Sequence, residues 1–176
     1  MAAQIEKYDS RQMEAILSDT IGIQRIRGMA GSGKTIVLAR KAVELHTAHP
    51  DWDIVVTYST RSLRDQLVSL IGRFYAAKND GAKYNSKKLK IMQSWGSASS
   101  RGVYYEVCLR HGVSPLNVRE AKAKYGNGAN LFSRMCGELI KSIKEFHKMY
   151  DCILIDEAQD SVSYTHLRAH ETRSNL

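Results

Sequence analysis

The sequence predicts an α/β domain, a three-layer parallel sheet carrying a helical insertion. Three observations lead there. A glycine-rich turn at residues 28–35 lies between an apolar strand pattern and an apolar helix pattern. A strand–loop–helix unit repeats directly after it, which implies parallel strands joined by crossover helices. An apolar run at 152–155 ends in two adjacent carboxylates, Asp156 and Glu157.

The turn reads Gly28-Met29-Ala30-Gly31-Ser32-Gly33-Lys34-Thr35 and fits G-x-x-x-x-G-K-[ST], a phosphate-binding loop. Its glycines remove side chains so that backbone N–H groups can close around phosphate oxygens. Lys34 adds a mobile cation for the outer phosphates, and Thr35 offers a hydroxyl to Mg²⁺. The following helix points its positive dipole end at the same anion.

Upstream, residues 9–18 read as a short helix with Asp9 as N-cap and Met13, Ile16 and Leu17 on one face. Gln12 lies on it; it is either a solvated surface residue or an amide able to pair with the N6 and N7 of adenine. Residues 21–27 alternate Ile21, Ile23 and Ile26 with polar residues and read as a strand feeding the loop. Residues 34–48 form a helix that stops before Pro50. A buried strand at 53–58, a turn at 57–61 and a returning helix at 62–71 follow. Ligands of such sheets gather at the carboxyl ends of the strands.

Residues 72–90 read as looser and basic, through Lys78, Lys83, Lys87, Lys88 and Lys90; they form a solvated surface or a phosphate-contacting patch. A short strand at 89–93 ends at Ser94-Trp95. Trp95 is there either to stack a base or to fill a core. Residues 103–150 read as three helices, 103–111, 115–125 and 130–150, with no strand between them: the helical insertion, at about residues 100–150. His111 and His147 lack metal-ligand partners at useful spacing. At the end of the strand at 152–155, two adjacent acids are costly unless a cation pairs with them. Asp156 would hold Mg²⁺ and Glu157 would take the proton of an attacking water.

The 176 residues suit one domain. The net charge of +8 favours a polyanionic partner. Cys108, Cys136 and Cys152 are odd in number and unpaired in spacing, which fits a reducing cytoplasm. No apolar run approaches the ~20 residues of a membrane span, so no membrane partner is expected, and no signal-peptide pattern opens the chain.

Four segments in order, Tyr8-Asp9-Ser10-Arg11-Gln12, the loop at 28–35, the turn at 57–61 and Asp156-Glu157-Ala158-Gln159-Asp160, resemble the amino-terminal motor domain of superfamily 1 helicases of the UvrD and Rep type. The resemblance covers residues 1–160 and implies a RecA-like P-loop NTPase fold. It implies ATP and Mg²⁺ as ligands and single-stranded DNA or RNA as partner. It also implies that Gln12 reads adenine, that Lys34 and Glu157 serve hydrolysis, and that Gln159 couples ATP state to strand binding. Thr57, Ser59, Arg61, Ser94 and Trp95 would face the nucleic acid, although the turn Thr-Tyr-Ser-Thr-Arg-Ser matches the family's strand-contacting motif only loosely. The family's arginine fingers and second motor domain lie further along. The fold is therefore expected to be incomplete at the C-terminus and the isolated chain a poor catalyst. In that fold a later strand inserts between those at 23–27 and 152–155, so no ladder is expected between these two. Residues 162–176 look like a reading frame through a sequencing-library adapter, and 161–176 are expected to be a non-native tail.

Overall fold

A computed structural model describes residues 8–18, 22–24, 26, 27, 29, 31–128 and 130–156. The expectations placed on Gly28, Ala30, Glu157, Gln159 and the tail lie outside the described residues. The chain is α/β, with a three-stranded parallel sheet. The elements are α1 (Ser10–Leu17), α2 (Lys34–Ala48), β1 (Ile54–Tyr58), α3 (Arg61–Lys78), β2 (Leu89–Gln93), α4 (Val103–Arg110), α5 (Val118–Tyr125), α6 (Leu131–Ser142) and β3 (Cys152–Ile155). The strand order is β2-β1-β3. Among the described residues no helix is long and apolar enough to cross a membrane.

β1 is the central strand of the sheet and is buried at all five positions. Ile54 lies opposite Leu89 and Cys152, and Thr57 opposite Met92 and Ile155. The sheet core joins Leu38, Ala42 and Val43 of α2 and Leu67, Ile71 and Phe74 of α3 to Ile54, Val56, Leu89 and Leu154. At its amino end Asp53 donates its N–H to Asp151 Oδ2 at 2.8 Å. The Asp53 carboxylate pairs with Lys88 at 3.0 Å and Lys90 at 3.8 Å. Lys78 pairs with Glu44. Three of the five lysines in the basic stretch are thus tied to carboxylates.

α3 runs seven residues further than the sequence predicts, to Lys78. Gly72 suggests a stop, yet Leu67, Leu70, Ile71 and Phe74 continue one buried stripe across it. Burial of that stripe outweighs the roughly 1 kcal/mol cost of one helical glycine. α6 stops eight residues earlier than predicted. Ile143 is extended, at φ −87° and ψ 118°, and packs on the second core. The chain must then return to the sheet, where the Asp151 N–H meets Asp53 O at 2.9 Å. α5 begins at Val118 rather than at Pro115 because Asn117 and Glu120 form a reciprocal capping box.

The predicted strand at 21–27 is not formed by its described residues, 22–24, 26 and 27, and Ile23 is half exposed. No ladder joins them to β3 among the described residues, and with no strand there the expected strand order is not tested. Without a neighbour an extended segment leaves its N–H and C=O groups unpaired, so the alternation alone does not make a strand. α1 forms as expected with Asp9 as its N-cap; of the apolar face only Ile16 is buried, and Met13 and Leu17 are exposed. α1 is fixed instead by Lys41 of α2, whose buried ammonium donates to Ala15 O at 2.9 Å and Ser18 O at 2.8 Å.

The insertion helices α4, α5 and α6 enclose their own core of Tyr104, Cys108, Ala121, Met135 and Leu139.

Candidate functional site

The carboxyl ends of β1, β2 and β3 run out at Ser59, Ser94 and Asp156, and α2 begins beside them. Gly31 and Gly33 both take left-handed conformations, at φ +76° and +79°. Any other residue there is strained, so the glycines are what permits this turn. Gly33 is the N-cap of α2, and no side chain caps the helix. The first turn of a helix, with its positive dipole end, is where an anion is favoured.

Within the loop Ser32 N–H donates to Met29 O at 3.2 Å, and Lys34 Nζ reaches the same carbonyl at 3.0 Å. Gln12 closes the loop from α1. Its Nε2 donates to Ser32 O at 3.1 Å, while its Oε1 accepts the Asp9 N–H at 3.0 Å. Asp9 in turn accepts the Gln12 N–H at 2.8 Å. This capping box was readable as Asp-x-x-Gln but escaped the sequence reading. It gives Gln12 a fixed position against the loop.

The two strong motifs meet. Thr35 Oγ1 donates to Asp156 Oδ2 at 2.9 Å, across 121 residues of sequence. Asp156 is buried, and its N–H donates to Thr57 O at 3.0 Å, one step past the β1–β3 ladder. A hydroxyl and a carboxylate brought together at the mouth of a phosphate-type loop are hard oxygen donors suited to Mg²⁺. Among the described residues no group of three or more His, Cys, Asp or Glu side chains forms a separate metal site.

No protein-family model, curated protein or solved structure matches the chain.

The five residues expected to face nucleic acid divide into two sets. Thr57 is 1% exposed and Ser94 7% exposed, and their hydroxyls bond one another at 2.9 Å. Trp95 donates its indole N–H to Leu116 O at 3.0 Å and packs 5.6 Å from the Phe132 ring. These three are occupied in joining the sheet to the insertion. For Trp95 the core alternative is the one the structure adopts. Ser59 is half-buried and Arg61 exposed at the start of α3.

Among the described residues, hollows lie in the insertion. One, of about 170 Å³, is bounded by Tyr125, Asn130 and Arg134. Another, of about 380 Å³, is bounded by Arg110, His111, Lys144 and His147. Neither touches the loop at 28–35, whose predicted mode of binding is an open backbone cradle rather than a cavity.

Proposed function

We propose that this chain is the ATP-binding motor domain of an ATP-dependent helicase or translocase of superfamily 1, RecA-like in fold, moving on single-stranded nucleic acid. The observation that carries the reading is the Thr35–Asp156 hydrogen bond at 2.9 Å. The phosphate loop and the acidic box, far apart in sequence, meet at the carboxyl edge of a parallel sheet, the usual ligand edge of such folds.

In this reading the left-handed turn at Gly31 and Gly33 and the first turn of α2 receive the phosphates. Lys34 leaves Met29 O to neutralise the outer phosphates. Thr35 Oγ1 and the Asp156 carboxylate would hold Mg²⁺, which when bound offsets phosphate charge. Glu157 takes the proton of the attacking water, and Gln159 relays nucleotide state toward the strand. Gln12 holds the loop through Ser32 O and exchanges those bonds when it reads adenine.

A second reading, a nucleotide-switched ATPase or binding module with a non-nucleic-acid partner, is favoured by one observation. Thr57, Ser94 and Trp95 are engaged internally, which leaves Ser59 and Arg61 as the exposed candidates. ATP turnover by the full-length parent, with and without single-stranded DNA or RNA, separates the two. Stimulation of at least about tenfold, abolished by Glu157→Gln, supports the helicase reading; a well-placed base is worth about 10²–10⁴ in rate. ATP turnover indifferent to both nucleic acids supports the second.

A further inference from the structure

The contact between Thr35 and Asp156 is the first link of a longer chain. Asp156 N–H donates to Thr57 O at 3.0 Å. Thr57 Oγ1 and Ser94 Oγ lie 2.9 Å apart. Ser94 has one hydroxyl proton, and it is donated to Tyr58 O at 3.0 Å, so the Thr57 hydroxyl is the donor between the pair. Ser94 O then accepts the Tyr104 N–H at 2.9 Å, and Trp95 O accepts the Tyr105 N–H at 3.1 Å; both donors lie in the first turn of α4. Leu116 closes the far side: its N–H donates to Tyr104 Oη at 3.3 Å and its carbonyl accepts from Trp95.

Two features make this chain stiff. The hydroxyl pair is buried, so water is not at hand to replace a broken bond. The backbones of Gly96 and Gly102 touch, which leaves no room for the strand end and the start of α4 to slide past one another. Displacement of Asp156 therefore reaches Thr57, Ser94 and α4 with little slack.

We infer that the Thr57–Ser94 hydroxyl pair is a positioning link that ties the insertion helices α4, α5 and α6 to occupancy of the phosphate loop. The inference rests on the nucleotide-binding reading and adds to it a route by which the bound state leaves the site. Thr57 and Ser94 act through Asp156 and α4 and touch no ligand.

Trp95 is a built-in reporter. The chain has two tryptophans, and Trp52 stacks on His49 at the sheet's other end. In full-chain Trp52→Phe protein, Trp95 is the one remaining tryptophan. A slowly hydrolysed ATP analogue with Mg²⁺ is titrated twice, by calorimetry and by Trp95 fluorescence. The expected result is a saturable fluorescence change that follows the heat. Thr57→Val keeps the side-chain shape and removes the hydroxyl; it should retain the heat and lose at least half of the fluorescence amplitude. Thr57→Ser should restore it, which a packing role alone would not. Where circular dichroism shows that Thr57→Val does not fold, Ser94→Ala takes its place with the same expected loss. Binding heat with a silent Trp95, or full amplitude in the hydroxyl-deleted variant, overturns the link and leaves the nucleotide reading intact. No binding heat in the Trp52→Phe protein overturns both.

Discussion

Gly102→Ala should be among the most destabilising single-methyl additions in this chain. A Cβ on Gly102 would sit 2.5 Å from Gly96 N and 2.6 Å from Gly96 Cα, and closer still to Gln93 O. Comfortable heavy-atom contacts begin near 3.5 Å, so about 1 Å of separation must be found against three backbone atoms at once. Those atoms cannot give independently. Gln93 ends β2, Ser94 N–H is held by Tyr58 O at 2.8 Å, and Tyr104 N–H by Ser94 O at 2.9 Å. Overpacking typically costs 1–3 kcal/mol, and a clash against backbone belongs at the upper end, about 3 kcal/mol. For a chain of this size that lowers the melting temperature by roughly 6–12 °C. Gly137→Ala is the control. It lies within α6 with nothing within 4 Å of its added Cβ, so removal of a helical glycine should stabilise by up to about 1 kcal/mol. Urea and thermal denaturation followed by circular dichroism measure both. A Gly102→Ala protein within about 0.5 kcal/mol of wild type, the range of a bland surface change, would refute the close approach of the strand end to α4.

Three further outcomes are expected. His46 is 2% exposed and burial holds its imidazole below the ordinary value of 6.5; its Nδ1 has no hydrogen-bond partner among the described residues and its Nε2 accepts the Asn85 N–H. The unfolded chain therefore takes up a proton first, so stability should fall as pH drops below about 6.5 and level off below the folded value; His46→Gln should show a shallower fall in denaturation midpoints between pH 7.5 and 5.5. Burial raises the Cys108 thiol and pushes Cys136 up to about 12, with Cys108 as a lesser cause; alkylation at pH 8 should leave these two at least about tenfold slower in the native protein than in denaturant, because the thiolate is the reactive form. Lys41→Met removes both side-chain bonds to the end of α1; amide exchange in α1 should quicken at least about tenfold while β1 stays protected.

Much of the sheet was legible because its signals are local. β1 and β2 are short apolar runs bounded by polar turns, and α2 is framed by Gly33 and Pro50. The meeting of Thr35 and Asp156 has a different signal: the residue types and order of the two segments fit one chemistry, and the fold places Thr35 Oγ1 2.9 Å from Asp156 Oδ2. The misreadings have a common origin in tertiary contacts. Gly72 is a local stop signal overridden by Phe74 in the core. The apolar pattern past Ser142 is drawn out of a helix by the return to Asp53. The alternation at 21–27 lacked a neighbouring strand among the described residues. Thr57 and Ser94 were expected to face nucleic acid, and nothing in their own sequence shows that their hydroxyls satisfy one another in a buried place. Trp95 carried two readings, and Leu116, which receives its indole N–H, lies 21 residues away.

The central claim is that the loop at 28–35 and Asp156 together bind a magnesium nucleotide. Calorimetric titration of Mg²⁺-ATP into the wild-type chain, Lys34→Ala and Asp156→Asn tests it most directly. Lys34→Ala leaves the glycine turn and helix amides in place and removes the loop's one side-chain cation. Asp156→Asn removes the charge opposite Thr35. The account predicts saturable binding to wild type, weakened at least about tenfold, or about 1.4 kcal/mol, by Lys34→Ala, and a loss of Mg²⁺ dependence in Asp156→Asn. Equal affinity in all three proteins, or no binding to wild type, would contradict it.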